Sequence, residues 1–159
     1  MKLATPYDLE ARAGQLLGTS EWLTVTQKMI DDFAELTGDH FWIHTDVERC
    51  KRERPDGKTI AHGYLTISLL PRLAKSIFVI ETLKAGFNYG SNRVRFTEQV
   101  QVDRRIRLRQ SLKDATRVEG NQNGAIRFTF DSVVEIEDVT RPAVVAETLS
   151  MLVSLEKRP

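Results

Sequence analysis

The sequence predicts an α+β domain in which a long antiparallel sheet covers one buried helix. Three observations carry this. Leu65, Leu69, Leu70, Leu73 and Ile77 recur at roughly helical intervals within a stretch from Ile60 to Ile80 that is apolar on nearly every face. From Leu83 onward the period changes from helical to alternating, the signature of strands with one covered face. Turn-forming residues then divide the second half into four strand-like runs.

Taken in chain order, a short helix is expected between Tyr7 and Leu17, followed by the β-prone segment EWLTVT. Thr26 then opens TQKMIDDFAELTG, where Met29, Ile30, Phe33 and Leu36 keep helical spacing. Its hydroxyl suits an N-cap, and Gly38 supplies the stop. Asp46 to Glu53 reads as one or two surface turns, closed by Pro55-Asp56-Gly57. The Ile60 to Ile80 segment is expected as a long central helix kinked at Pro71. KAGFNYGSNRVRFTEQV, RIRLRQSLKDATRV, AIRFTFDSVVEIE and AVVAETLSMLVSL supply the strands. Asp103, the run from Gly120 to Gly124, and Thr140-Arg141-Pro142 are the turns between them. Consecutive strands with short turns predict an antiparallel meander. With 159 residues and no internal repeat, low-complexity tract or linker, the expected organisation is a single domain over residues 1–159.

Composition excludes several function classes. Hydrophobic residues are 41% and charged residues 28%, the balance of a soluble globular protein. The formal charge is +1, from 23 basic and 22 acidic residues, so neither nucleic acid nor an anionic membrane is an expected partner. Arg105, Arg107 and Arg109 alternate with Ile106 and Leu108, as on a strand with one solvated face. A single cysteine, Cys50, rules out an intrachain disulfide. The first residues lack a signal-peptide apolar run, and no window nears the roughly 18 apolar residues of a membrane span. A cytoplasmic location is therefore expected.

Chemistry concentrates in TGDHFWIHTD, where two of the three histidines and two aspartates crowd around Phe41-Trp42-Ile43. Asp39 and His44 are five residues apart, which on a continuous helix would turn them about 140° away from each other. Because Gly38 ends the preceding helix, both fall in irregular backbone that can bring them together. A carboxylate beside an imidazole suits general acid–base catalysis near neutral pH. A metal site built from Asp39, His40, His44 and Asp46 is the weaker reading: a zinc-hydrolase signature needs glutamate after the first histidine, and Phe41 stands there. No metal is expected. Capping and turn chemistry explains Asp46 well and His44 poorly. Without a G-x-S-x-G elbow, a serine hydrolase triad has no support.

FAELTGDHFWIHTD, followed about fifteen residues later by IAHGYLT, resembles the hydratase motif of the MaoC-like dehydratases, the (R)-specific enoyl-CoA hydratases. Phe33, Gly38, Asp39, Ile43, His44, Ala61, His62 and Gly63 match the pattern. Phe41-Trp42 replaces the family's Asn-Pro, and this departure, with LLPRL and NYGSNRVRF, is similar to the mycobacterial-type and nodulation-protein-N-like members. The resemblance spans Trp22 to Leu152. It implies a hot-dog fold, a homodimer with sheets joined edge to edge, and a substrate tunnel overhung by the Asp39–His44 loop.

The implied reaction is reversible syn addition of water to a trans-2-enoyl-CoA thioester, giving the (R)-3-hydroxyacyl-CoA, with coenzyme A as part of the substrate and no separate cofactor. Asp39 and His44 would hold and activate the water, and the Gly63 N–H would meet the charge developing on the thioester oxygen. His62 is expected to support the Gly63 turn beside the substrate, and Ser68 to reach the pocket. Tyr89 and Asn92 are candidates for the acyl tunnel, and Arg93 or Arg95 for the coenzyme A phosphates; the competing reading is a strand with polar residues facing water. Two other functions fit the same fold: a non-catalytic acyl-CoA-binding dimer or heterodimer subunit, and a thioesterase. A matched acid–base pair argues against the first, and the hydratase spacing against the second.

Overall fold

The computed structural model describes residues 1–118 and 125–155. In chain order the elements are β1 (Lys2–Leu3), α1 (Pro6–Glu10), β2 (Leu16–Thr19), β3 (Leu23–Thr24), α2 (Gln27–Thr37), α3 (Trp42–Thr45), α4 (Val47–Glu53), α5 (Gly63–Ser68), α6 (Leu70–Ala74), β4 (Val79–Ile80), β5 (Leu83–Phe96), β6 (Arg105–Arg117), β7 (Ala125–Ile136) and β8 (Val144–Ser154). Among them no helix is long and apolar enough to cross a membrane.

Alternation shapes the sheet. On β7, Ile126, Phe128, Phe130, Val134 and Ile136 are buried on one face, while Asp131 on the other is exposed. Pairing these apolar faces side by side gives an open six-stranded antiparallel sheet in the order β2-β6-β7-β8-β5, with β3 also on β6. Its covered face receives Leu65, Leu69, Leu70 and Leu73 from the helices, packed with Ile106, Leu108, Val134, Val144 and Ala146. A second cluster of Leu3, Leu9, Leu112, Phe128 and Phe130 closes the end under α1.

Several expectations change. The long central helix is two short ones, α5 and α6, joined at Leu69, and the chain leaves helical structure after Ala74. Pro71 sits in the first turn of α6, where its missing N–H removes no helical bond; it starts a helix here rather than kinking one. The strands are also not a simple meander. β6, β7 and β8 follow in order, but β5 crosses the whole sheet to pair with β8, leaving its other edge unpaired among the described residues. The turn expected from Gly120 to Gly124 falls outside the described residues. α2 and the four long strands lie where periodicity puts them. The helix expected from Tyr7 to Leu17, however, ends at Glu10 and gives way to β2 at Leu16. The turns expected from Asp46 to Glu53 are the helix α4 capped by Asp46, and His44, expected in irregular backbone, sits on the short helix α3.

Candidate active site

The site begins with the way α2 starts and stops. Thr26 Oγ1 accepts the Met29 N–H at 3.3 Å, fixing the first turn. At the other end Gly38 takes the left-handed conformation, φ 77°, and its N–H donates to the Ala34 carbonyl at 2.8 Å. Only there does the chain turn sharply enough to end the helix and bring Asp39 back toward His44 on α3. One ligand atom from each of Asp39, His44 and His62 lies within 4.8 Å of the others. The two residues that a continuous helix would separate are thus adjacent.

His44 is held by backbone. Its Nδ1 lies 2.7 Å from the Ile60 carbonyl, which can only accept, so Nδ1 carries the proton and Nε2 keeps a lone pair. The Ile60 N–H in turn donates to the Ile43 carbonyl at 3.1 Å. Gln27 Nε2 donates to the His44 backbone carbonyl at 2.8 Å, and Gln27 Oε1 of the same side-chain amide accepts the Thr59 hydroxyl. Thr59 and Ala61 are tied to the segment that follows β5: the Ala61 N–H donates to Val100 and the Val102 N–H to Thr59. Only 8% of His44 is exposed. Burial pulls its pKa below the ordinary 6.5, opposed by the bond to Ile60 and by Asp39, and assisted by His62 and Arg54.

His44 opens onto a cleft of about 370 Å³, whose lining includes Gly63, Thr66, Phe96, Glu98 and Arg141. Gly63 is the first residue of α5, so its N–H has no acceptor within the helix. A Cβ on Gly63 would sit 2.9 Å from the Phe96 ring, so the ring lies directly against this backbone. Ser68 faces away: it is exposed, and its hydroxyl donates to the Tyr64 carbonyl at 2.6 Å. The cleft instead receives Thr66, one turn into α5.

Tyr89, Asn92 and Arg93 lie on β5, outside the lining of this cleft. Asn92 donates to Glu147, which also pairs with Lys113, and Arg93 stands opposite Glu147 in the register. Tyr89 occupies the irregularity between Asn88 and Gly90 and is 56% exposed. Of the four groups weighed for a metal, His40 stands 3.7 Å from Glu35 and Asp46 caps α4, so they do not join Asp39 and His44. The residues that sequence reasoning missed are Gln27, Thr59, Thr66, Phe96 and Arg141. Only Gln27 had a local signal, its i,i+4 spacing to Asp31, whose carboxylate it bonds at 2.8 Å.

Residues 8–134 match the family model described as a MaoC like domain. This chain belongs to the MaoC-like dehydratases. It is 44% identical to 3-hydroxyacyl-thioester dehydratase Z of Mycobacterium tuberculosis, over 89% of this chain and 91% of that protein. To nodulation protein N of Rhizobium leguminosarum it is 41% identical, over 91% and 89% of the two chains. Among solved structures, an unliganded R-hydratase from Pseudomonas aeruginosa superposes with a TM-score of 0.63 at 18% identity, covering 92% of this chain and 89% of that one. That likeness carries the fold, the hot-dog. The dehydratase membership makes the protein a hydro-lyase, adding water to a double bond or removing it.

Two measurements test the site as built. The unfolded chain binds a proton at His44 near pH 6.5 and the folded one only at lower pH, so stability falls as pH drops from 6.5 toward the folded value. Denaturant midpoints at pH 7.5 and 5.5 should show this loss, and His44→Gln should remove part of it. Gly63→Ala should destabilise by about 1–3 kcal/mol through overpacking against Phe96. Pairing it with Phe96→Ala should recover much of that in a double-mutant cycle by urea unfolding.

Proposed function

We propose that the protein is an (R)-specific enoyl-CoA hydratase, adding water reversibly and syn to trans-2-enoyl-CoA thioesters. The observation that carries this reading is the pairing of Asp39 with a buried His44 whose Nδ1 is committed to Ile60, leaving Nε2 as a base beside the cleft. The 3-hydroxyacyl-thioester named for the mycobacterial relative supports the substrate class.

Water sits between Asp39 and His44, within hydrogen-bond reach of both. His44 Nε2 takes one proton as the water oxygen bonds to C3 of the enoyl group, while the Asp39 carboxylate orients the water. The C2–C3 π pair shifts into the thioester, and negative charge builds on its oxygen. The Gly63 N–H at the head of α5 meets that charge. The imidazolium lies on the side from which water came, so it returns its proton to C2 on the same face. The pair ends as it began. The carrier is coenzyme A, present as part of the substrate, and the reaction needs no other cofactor.

The exposed edge also has a role. β5 is 14 residues long, and Phe87 and Tyr89 on it are each 56% exposed. A second copy pairing edge to edge covers these residues and the free backbone groups. Sedimentation velocity should then give a particle of twice the 18.1 kDa chain mass; a monomer at every concentration would rule the pairing out.

Activity is tested by following loss of the enoyl absorbance of crotonyl-CoA. Asp39→Asn and His44→Gln should each lower kcat by about 100- to 10,000-fold with the fold intact. Release of free thiol instead would make the protein a thioesterase. An inert parent with crotonyl-CoA and longer enoyl-CoAs would favour an acyl-CoA-binding role.

A further inference from the structure

We infer that His62 is a positioning residue that locks Asp39, His44 and the Gly63 peptide into one unit, an inference that rests on the hydratase reading for its catalytic consequence. Three contacts define the role. His62 Nε2 donates to the Asp39 backbone carbonyl at 2.9 Å, tying down the residue that carries the carboxylate. The His62 ring stacks on His44, centroids 3.7 Å apart and planes 26° apart, so neither imidazole tilts without the other. The His62 carbonyl receives the Thr66 N–H at 3.1 Å and the Thr66 hydroxyl at 3.3 Å, orienting the peptide whose nitrogen is the Gly63 N–H. One side chain and its own peptide thus touch base, carboxylate residue and oxyanion donor.

A space-filling role does not account for this residue. His62 is 4% exposed, lies 5.1 Å from the Phe33 ring, and its Nδ1 has no hydrogen-bond partner among the described residues. Burying an imidazole with one unpartnered nitrogen costs free energy that a leucine would not. What leucine lacks is the donor to Asp39 and a flat ring against His44. His62 also bears on the base electrostatically. The charged or titratable groups acting on His44 are Asp39 from the loop after α2, Arg54 at the end of α4 and His62 at the head of α5. Asp39 raises its pKa, and the other two lower it.

Two variants separate positioning from filling. His62→Gln keeps an amide N–H able to reach the Asp39 carbonyl but removes the second imidazole; His62→Leu removes both. The first readout is the titration of His44 followed by NMR on the 13C-histidine-labelled protein, which holds only three histidines. The second is kcat, KM and the pH profile of kcat/KM for crotonyl-CoA hydration. In both variants the His44 titration should rise toward 6.5, and the acid limb of kcat/KM should follow it. His62→Leu should lose about 100-fold in kcat with KM little changed, and His62→Gln should recover most of that loss. A His44 titration unmoved in His62→Gln, or a parental kcat in His62→Leu, overturns the assignment. The NMR readout needs no turnover. An inert parent would therefore refute the hydratase reading, while the titration still decides whether His62 and His44 are coupled.

Discussion

Everything at the site depends on the backbone of Ile60. Its N–H is taken by the Ile43 carbonyl and its carbonyl by His44 Nδ1, so a single residue, through the two peptide units that flank it, grips both the backbone and the side chain of α3. The residues on either side are gripped in turn by the chain at 100–102, and Ile60 itself forms an isolated bridge to Gln101. Gly63 follows three residues later, so the separation of the His44 ring from the Gly63 N–H, the proposed base and oxyanion donor, is set by a few backbone bonds. Backbone is the stiffest ruler a protein has, because it offers only two soft torsions per residue. Loops usually carry chemistry at the cost of mobility; here the loop is pinned at the residue that matters.

The proposed acid–base pair, Asp39 and His44, is asymmetric by construction. His44 is buried, and burial depresses its pKa, which keeps a lone pair on Nε2 near neutral pH. Asp39 stays exposed at the end of α2, where water can reach it. The cleft rim is anchored separately. Arg54 bonds Asp56 and Gln99, and Asp56 receives Gln101, so the turn after α4 is fastened to the segment that lines the opening. The Arg54 guanidinium pulls the Asp56 carboxyl down to about 2, marking this as a firm tie, whereas the exposed Lys28–Asp32 and Lys51–Glu48 pairs contribute little.

The local geometry that brings Asp39 near His44 was legible in the sequence because its grammar is local. Thr26 and Gly38 announce a helix and its stop, and the structure builds both; the loop expected to carry Asp39 and His44 is shorter, and His44 lies on the single-turn helix α3. The strands were legible for the same reason, since alternation is a property of neighbours. What escaped was whatever depends on distant chain. Apolarity from Ile60 to Ile80 looked like one helix because a buried segment is apolar in any conformation; Pro71 marked the place, but nothing local told a kink within one helix from the start of a second. The position of β5 beyond β8 is a matter of topology, invisible to periodicity. Thr59, Phe96 and the Ile60 carbonyl matter only because 59–61 and 96–102 meet across the fold. Ser68 and Thr66 are two residues apart on one short helix, and packing decided which of them faces the cleft.

The crossing of β5 orders assembly in time as well as space. β6, β7 and β8 pair with sequence neighbours, whereas β5 must wait for β8, separated from it by the whole of β6 and β7. Closing that longer loop costs more chain entropy than either hairpin. The strand that arrives last in this scheme ends at Phe96, and the next residues are those that bind Thr59 and Ala61 and line the cleft. A nascent or partly unfolded chain can therefore hold most of its sheet while lacking the cleft altogether. In that scheme completion of the sheet and appearance of the cleft become one event, so a molecule that has not finished folding lacks the proposed binding site.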